Sequence, residues 1–272
     1  MMKIAIVGCG YVGTAVAKAW QSQGHDVLVT TTREERVSEL SAIANRVAVL
    51  AGTDKSALEN ALQDRQVVLL CVASKRGSSY ADTYLNTAKT IADVLPRTAI
   101  EQLIYTSSCS VYGQHFGAWV SELMPPLPIT ENGKIIEQTE QTLLSATTPH
   151  RKICILRLGG IYGPGRTLAK IYSRVGGTTR PGKGEERTNW VHLSDIVAAI
   201  DWARERQLSG LFNVVQDEVP TVRELVDQVC DRNGIAPVQW DESQESDRKN
   251  VRVSNAKFKG TGYQFVHPTF WP

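Results

Sequence analysis

The sequence predicts an α/β fold, a doubly wound parallel sheet with a smaller α/β region following it, and three observations carry that prediction. Short apolar runs recur through the first part of the chain with little polar interruption, as strands covered on both faces require. Stretches with apolar residues at every third or fourth position separate them, and such β–α alternation builds a parallel sheet with right-handed crossovers. A turn with three spaced glycines joins the first run to the first helical stretch.

In order, strands are expected at KIAIVG (3–8), HDVLVT (25–30), RVAVL (46–50), VVLLCVA (67–73), QLIYTSS (102–108) and KICILRLG (152–159). Helices are expected between them at 11–23, 34–44, 55–63, 80–95 and 134–146, the last within the Thr130-led stretch ITENGKIIEQTEQTLL (129–144). Beyond residue 160 the order loosens. GPGRTLAKIYSRVGG and SDIVAAIDWARER read as helices, the second with Ser194 as its cap; LFNVV reads as a strand. TVRELVDQVCDRNG reads as a capped helix ending at Asn-Gly, and the tail, polar and then aromatic, as a surface segment that packs back at its end.

The bulk numbers exclude several function classes. A net charge of +2 with no dense basic run argues against nucleic-acid or membrane partners. Five cysteines, odd in number and without CxxC spacing, indicate neither a disulfide framework nor a zinc site, and no other metal-ligand spacing stands out. A reduced, cytoplasmic compartment is the expectation. The N-terminal apolar run superficially resembles a signal peptide, but its glycines and strand–turn–helix pattern argue against export.

IAIVGCGYVGTAVA places Gly8, Gly10 and Gly13 in a G-x-G-x-x-G string directly after a strand and at the start of a helix. In that context the first glycine permits the tight turn, the second lets backbone approach a pyrophosphate, and the third lets helix and strand pack closely. Tyr11 and Val12 of the same loop, with Val72 and Ala73 at the end of the fourth strand, complete the expected dinucleotide contacts. NAD-binding versions carry an acid at the end of the second strand, for the ribose hydroxyls. Here that strand ends in Thr30, Thr31, Thr32 and Arg33. Hydroxyls and a guanidinium suit a 2′-phosphate, so NADP is expected, with NAD as the alternative. Asp54 is open to two readings, adenine contact or cap of the following helix.

Three further stretches, YTSSCSVYG (105–113), RLGGIYGPGR (157–166) and NWVHLSDIVAAI with GLFNVV and TVRELVDQV, occur in an order that resembles the extended short-chain dehydrogenase/reductases of the NAD-dependent epimerase/dehydratase family. With the glycine loop, the resemblance covers nearly the whole chain. It implies a Rossmann cofactor domain over 1–160 and a smaller, interleaved substrate-binding region over 161–272, with the active site in the cleft between them. It also implies a small-molecule substrate, and a homodimer through the helices at 80–95 and 134–146. In the family, a Ser or Thr, a Tyr, and a Lys four residues after the Tyr do the chemistry: the lysine lowers the pKa of the tyrosine, which acts as acid and base.

Ser108 matches the family's serine, but no Tyr-x-x-x-Lys pair occurs. If Lys134 is the family's lysine, Thr130 takes the tyrosine position. If Glu140 is instead the family's downstream acid, the two positions fall on Asn132 and Ile136. The chain is thus identified as an atypical member, and its catalytic candidates are Ser108, Lys134 and Tyr112 as a bypass acid, with Tyr162 and His115 behind them. His192 reads as a half-buried structural histidine, Cys109 as a small buried residue, and Arg157 as the partner of a carboxylate; Arg166 could bind an anionic substrate. Two functional readings stand: an NADP-linked oxidoreductase or epimerase/dehydratase-like enzyme on a small polar or sugar-derived substrate, and a non-catalytic NADP(H)-binding redox sensor.

Overall fold

The computed structural model describes residues 1–74 and 77–271. The chain forms two compact units: Met1–Val111, Pro128–Arg157 and Ile196–Phe212 make the first, and Tyr112–Leu127, Leu158–Asp195 and Asn213–Pro272 the second.

The first unit is built on a parallel sheet of β1 (Lys3–Val7), β2 (Asp26–Thr31), β3 (Arg46–Val49), β4 (Val67–Leu70), β5 (Gln102–Ser108), β6 (Lys152–Leu158) and β7 (Gly210–Val214). Their spatial order is β7-β6-β5-β4-β1-β2-β3, so the strand order reverses beside β1. That reversal is where doubly wound sheets open a crevice at the carboxyl ends of their strands. Register puts Val7 against Leu70 and Ile6 against Val29, which brings the ends of β1, β2 and β4 together. Helices α1 (Tyr11–Ser22), α2 (Val37–Ser41), α3 (Lys55–Leu62), α4 (Thr87–Val94), α5 (Glu131–Leu144) and most of α6 (Leu193–Glu205) belong to this unit. Ala5, Leu28, Leu58, Val68, Ile91, Leu103, Leu143 and Ile155 share one buried cluster, which explains why these strands read as unbroken apolar runs.

Two helices depart from the sequence reading. The stretch expected as a helix over 34–44 is a 3₁₀ turn at Glu34–Arg36 and the short α2, in which Leu40 alone is buried. With so little apolar surface there is no packing to extend it. The helix expected from 80 does start there, but it passes through a π-type turn at Asp82–Asn86 before α4.

In the second unit, α7 (Val222–Asn233) has a full capping box between Thr221 and Glu224 and ends on Gly234 in the left-handed conformation, φ 62°. Its buried face packs with Tyr162, Tyr172, Trp190 and Phe270, so the aromatic tail does fold back. Strand Trp190–His192 pairs in parallel with Gly160–Tyr162. The helix expected over GPGRTLAKIYSRVGG is confined to Leu168–Tyr172. Ser194 is not the cap of α6: it lies inside the first turn, and its N–H donates to His192 Nδ1 at 3.2 Å.

Candidate cofactor site

The loop after β1 is held by its own neighbours. Gly8, at φ 94°, donates its N–H to Thr30 Oγ1, and the Cys9 N–H reaches the Thr30 carbonyl, each at 3.1 Å. The Cys71 thiol donates to the Gly8 carbonyl at 2.9 Å. A Cβ on Gly8 would stand 2.8 Å from Val72 Cα; one on Gly13 would stand 2.7 Å from the Gly8 oxygen and 2.9 Å from Cys71 Sγ. Those two glycines serve the close packing of strand, loop and helix. A Cβ on Gly10, by contrast, would meet nothing within 4 Å. The middle glycine faces open space at the helix N-terminus, the cradle a pyrophosphate requires.

Around it lies a cavity of about 380 Å³, lined by the expected Gly8, Gly10, Thr31, Arg33, Val72 and Ala73. Tyr11, Val12, Gly13 and Asp54 are not on its wall. Further residues, unexpected from the sequence, complete it: Cys9, Arg36, Gly52, Thr53, Asp82, Thr83 and Thr87 among them. Arg36 matters most. Its Nη1 donates to the Cys9 carbonyl, while Nε and Nη2 hold Glu39 at 3.1 and 2.8 Å. The hydrogen bond and charge of Glu39 raise the Arg36 pKa, and Arg36 in turn lowers that of Glu39. A second arginine one turn after Arg33 was visible in the sequence as a signal, had the register of that turn been legible.

The β2 end carries the charge expected of it. Thr31 Oγ1 accepts the Arg33 N–H at 3.2 Å, and the Arg33 side chain keeps only a loose pairing with Glu35, 3.7 Å apart and exposed. Such an exposed pair leaves a guanidinium able to take a better partner. Asp54 resolves to the capping reading, since its Oδ1 accepts the Ala57 N–H at 3.0 Å. Asp54→Ala is therefore expected to cost about 1 kcal/mol of stability and to leave dinucleotide affinity unchanged, by thermal unfolding and calorimetry on the same protein.

Each catalytic candidate has its own partners. Ser108 ends β5 half-buried, and its Oγ accepts the Ser110 N–H at 3.1 Å. Its neighbour Ser107 points the other way, donating to Glu140 Oε1 at 2.5 Å. Lys134 sits on the exposed face of α5, paired with Glu131 at 2.6 Å. Thr130 is the α5 cap, its Oγ1 accepting the Gly133 N–H. Glu140 is buried against Arg157, with Nη2 to Oε2 at 2.7 Å, which confirms the carboxylate partner expected for Arg157. In the register that takes Glu140 as the downstream acid, the tyrosine and lysine positions fall on Asn132 and Ile136, an exposed amide and a buried alkyl group. Neither moves a proton.

Tyr112, in the second unit, is wholly buried and donates its hydroxyl to Asn213 Oδ1 at 2.8 Å, a packing arrangement. Tyr162 donates to Gln216 Oε1 at 3.1 Å, and burial pushes its pKa up to about 12. Cys109 is buried, its thiol on the Arg157 carbonyl. His192 is half-buried, and desolvation, then the nearby His267, lowers its pKa.

Known proteins resemble this chain over nearly its whole length. Over 274 residues the chain is 28% identical to protein YeeZ of Escherichia coli K12, covering 98% of this chain and 97% of that one. A conserved Silicibacter pomeroyi protein of unknown function superposes with a TM-score of 0.79 at 23% identity, covering 99% of this chain and 95% of its own. The Thermotoga maritima UDP-glucose 4-epimerase, solved with UDP-glucose, does so with a TM-score of 0.80 at 20% identity over 97% and 94%. No helix among the described residues is long and apolar enough to cross a membrane. Residues 4–214 match the model of the NAD dependent epimerase/dehydratase family, and with the glycine loop and the strand order in place, the chain belongs to that family.

Proposed function

We propose that the protein binds NADP(H) in the β1–β2–β4 cavity and acts as an oxidoreductase or epimerase/dehydratase-like enzyme on a small polar or sugar-derived substrate. The observation that carries this reading is the wall of the cavity beside β2, with Thr31, Thr32, Arg33 and Arg36 and no carboxylate from the strand end. A ribose 2′-phosphate gains charge-assisted hydrogen bonds there and faces no carboxylate from the strand end. When bound, the nicotinamide would supply hydride chemistry. The chain's own part is to hold the pyrophosphate at Gly10 and the 2′-phosphate at Arg33, with Arg36 tying the loop to α2. Ser108 is the family's substrate-orienting hydroxyl in this reading, and the acid is not the family's tyrosine.

Calorimetry with NADP+, NADPH, NAD+ and NADH tests it. The phosphorylated pair is expected to bind at least tenfold tighter, about 1.4 kcal/mol, and Arg33→Ala to remove that gap. Equal affinities in wild type would overturn the NADP assignment. A second reading, a non-catalytic redox sensor, is favoured by the surface pairing of Lys134 and the buried hydroxyl of Tyr112. A large difference between oxidised and reduced NADP would support the sensor; similar affinities favour the enzyme.

A further inference from the structure

Among the described residues, one group of three side chains offers convergent metal-ligating atoms: His192, Asp195 and His267, whose donor atoms all lie within 4.8 Å of one another. All three belong to the second unit. His192 ends the Trp190–His192 strand, Asp195 is in the first turn of α6, and His267 comes from the tail 72 residues later. No local spacing in the sequence announces them.

The geometry points to a binding site for a divalent transition metal of the zinc class, with His192, His267 and Asp195 as ligands and Ser194 Oγ or water in the fourth position. The two imidazoles stack, centroids 3.9 Å apart, and both turn Nδ1 toward Ser194 Oγ, at 2.7 and 3.2 Å. Asp195 Oδ2 stands 3.1 Å from His267 Nδ1. Two imidazole nitrogens, a carboxylate oxygen and a solvent-facing hydroxyl are a donor set and number that suit a tetrahedral ion. With the ion bound, the Nδ1 that faces Asp195 would carry a lone pair and the His267 proton would move to Nε2. The positive end of α6 opposes a cation, but its influence is small beside three ligand bonds.

The carboxylate is already fixed. Asp195 is 0% exposed, and its oxygens accept the N–H groups of Val266 and His267 at 2.7 and 3.0 Å. That is the outer-shell support which orients a ligating carboxylate. A serine–histidine–aspartate relay does not fit the same atoms. Ser194 Oγ and Asp195 Oδ2 both meet Nδ1 of His267, whereas a relay needs opposite ring nitrogens. The ion would clip the tail to the start of α6.

The test is titration of the chelator-treated full chain with Co2+ and Zn2+, in wild type and in His192→Gln/His267→Gln. One equivalent of Co2+ is expected to bind, with visible d–d absorption and no sulfur-to-metal charge transfer. The double variant is expected to lose at least ~100-fold in affinity, and Zn2+ should raise the melting temperature of wild type only. No binding up to millimolar Co2+, equal affinity in the variant, or a thiolate charge-transfer band would overturn the site. If the double variant fails to fold, His192→Gln alone replaces it, and equal affinity there has the same meaning. Asp195 is left intact because it also holds the tail.

Discussion

Gly10→Ala is expected to weaken NADPH binding by at least ~100-fold, about 2.7 kcal/mol, while leaving the fold as stable as wild type. The added methyl would meet no protein atom within 4 Å, and the backbone φ of −88° lies outside the left-handed region. A substitution without clash or lost contact stays within about 0.5 kcal/mol in stability. The methyl would stand, however, where the pyrophosphate must approach. Gly13→Ala is the contrasting case. Its Cβ would stand 2.7 Å from the Gly8 carbonyl, and strand β1 and helix α1 would have to part. Overpacking of this kind costs about 1–3 kcal/mol, so Gly13→Ala is expected to lose binding and several degrees of melting temperature together. Calorimetry and thermal unfolding on the two variants separate ligand contact from packing. Full NADPH affinity in Gly10→Ala would show that the dinucleotide does not lie on this loop.

Glu140→Ala is expected to destabilise the first unit by about 3–5 kcal/mol, the usual cost of leaving a buried charge without its partner. Arg157 and Glu140 are 1% and 2% exposed, joined through Nε and Nη2, and Ser107 also donates to this carboxylate. Removing it takes away the carboxylate that three Arg157 N–H···O contacts and the Ser107 hydroxyl share. Glu140→Gln keeps an acceptor for Ser107 and loses the charge, so its cost falls between wild type and Glu140→Ala. Glu140→Leu with Arg157→Met should recover part of the loss, because a hydrophobic pair removes the desolvation penalty along with the attraction. Urea unfolding gives each value. A loss below about 1 kcal/mol for Glu140→Ala would mean that water or rearrangement reaches the site, and that the pair does not set the rotation of α5.

That rotation shows what the sequence left undecided. The pattern over 129–144 fits a helix capped by Thr130, and such a helix forms. Which register its polar residues take depends on a partner 17 residues away, Arg157 on β6. With Glu140 turned inward, Ile136 is buried and Lys134 faces water. The missing tyrosine was legible at once from the absence of any Tyr-x-x-x-Lys pair; the surface position of the remaining lysine was not. Tyr112 is similar. Its place in Val-Tyr-Gly suggested a bypass acid, but its hydroxyl reaches Asn213, 101 residues on.

The glycine loop, the strand ends and the threonine-arginine end of β2 were readable because their meaning is local. A tight turn, an unbroken apolar run or a capping box such as that of Thr221 and Glu224 is decided by residues a few positions apart. Arg36 on the cavity wall, the capping of α6 by His192 in place of Ser194, and the meeting of His192, Asp195 and His267 were not readable. The first and third depend on segments brought together by strand pairing and core burial; the second is local, but it depends on where the strand before it ends. By itself, then, the sequence determined the sheet, the cofactor loop and the absence of the usual catalytic pair. The tertiary structure decided which side chains face one another, because that is set by packing between residues far apart in the chain.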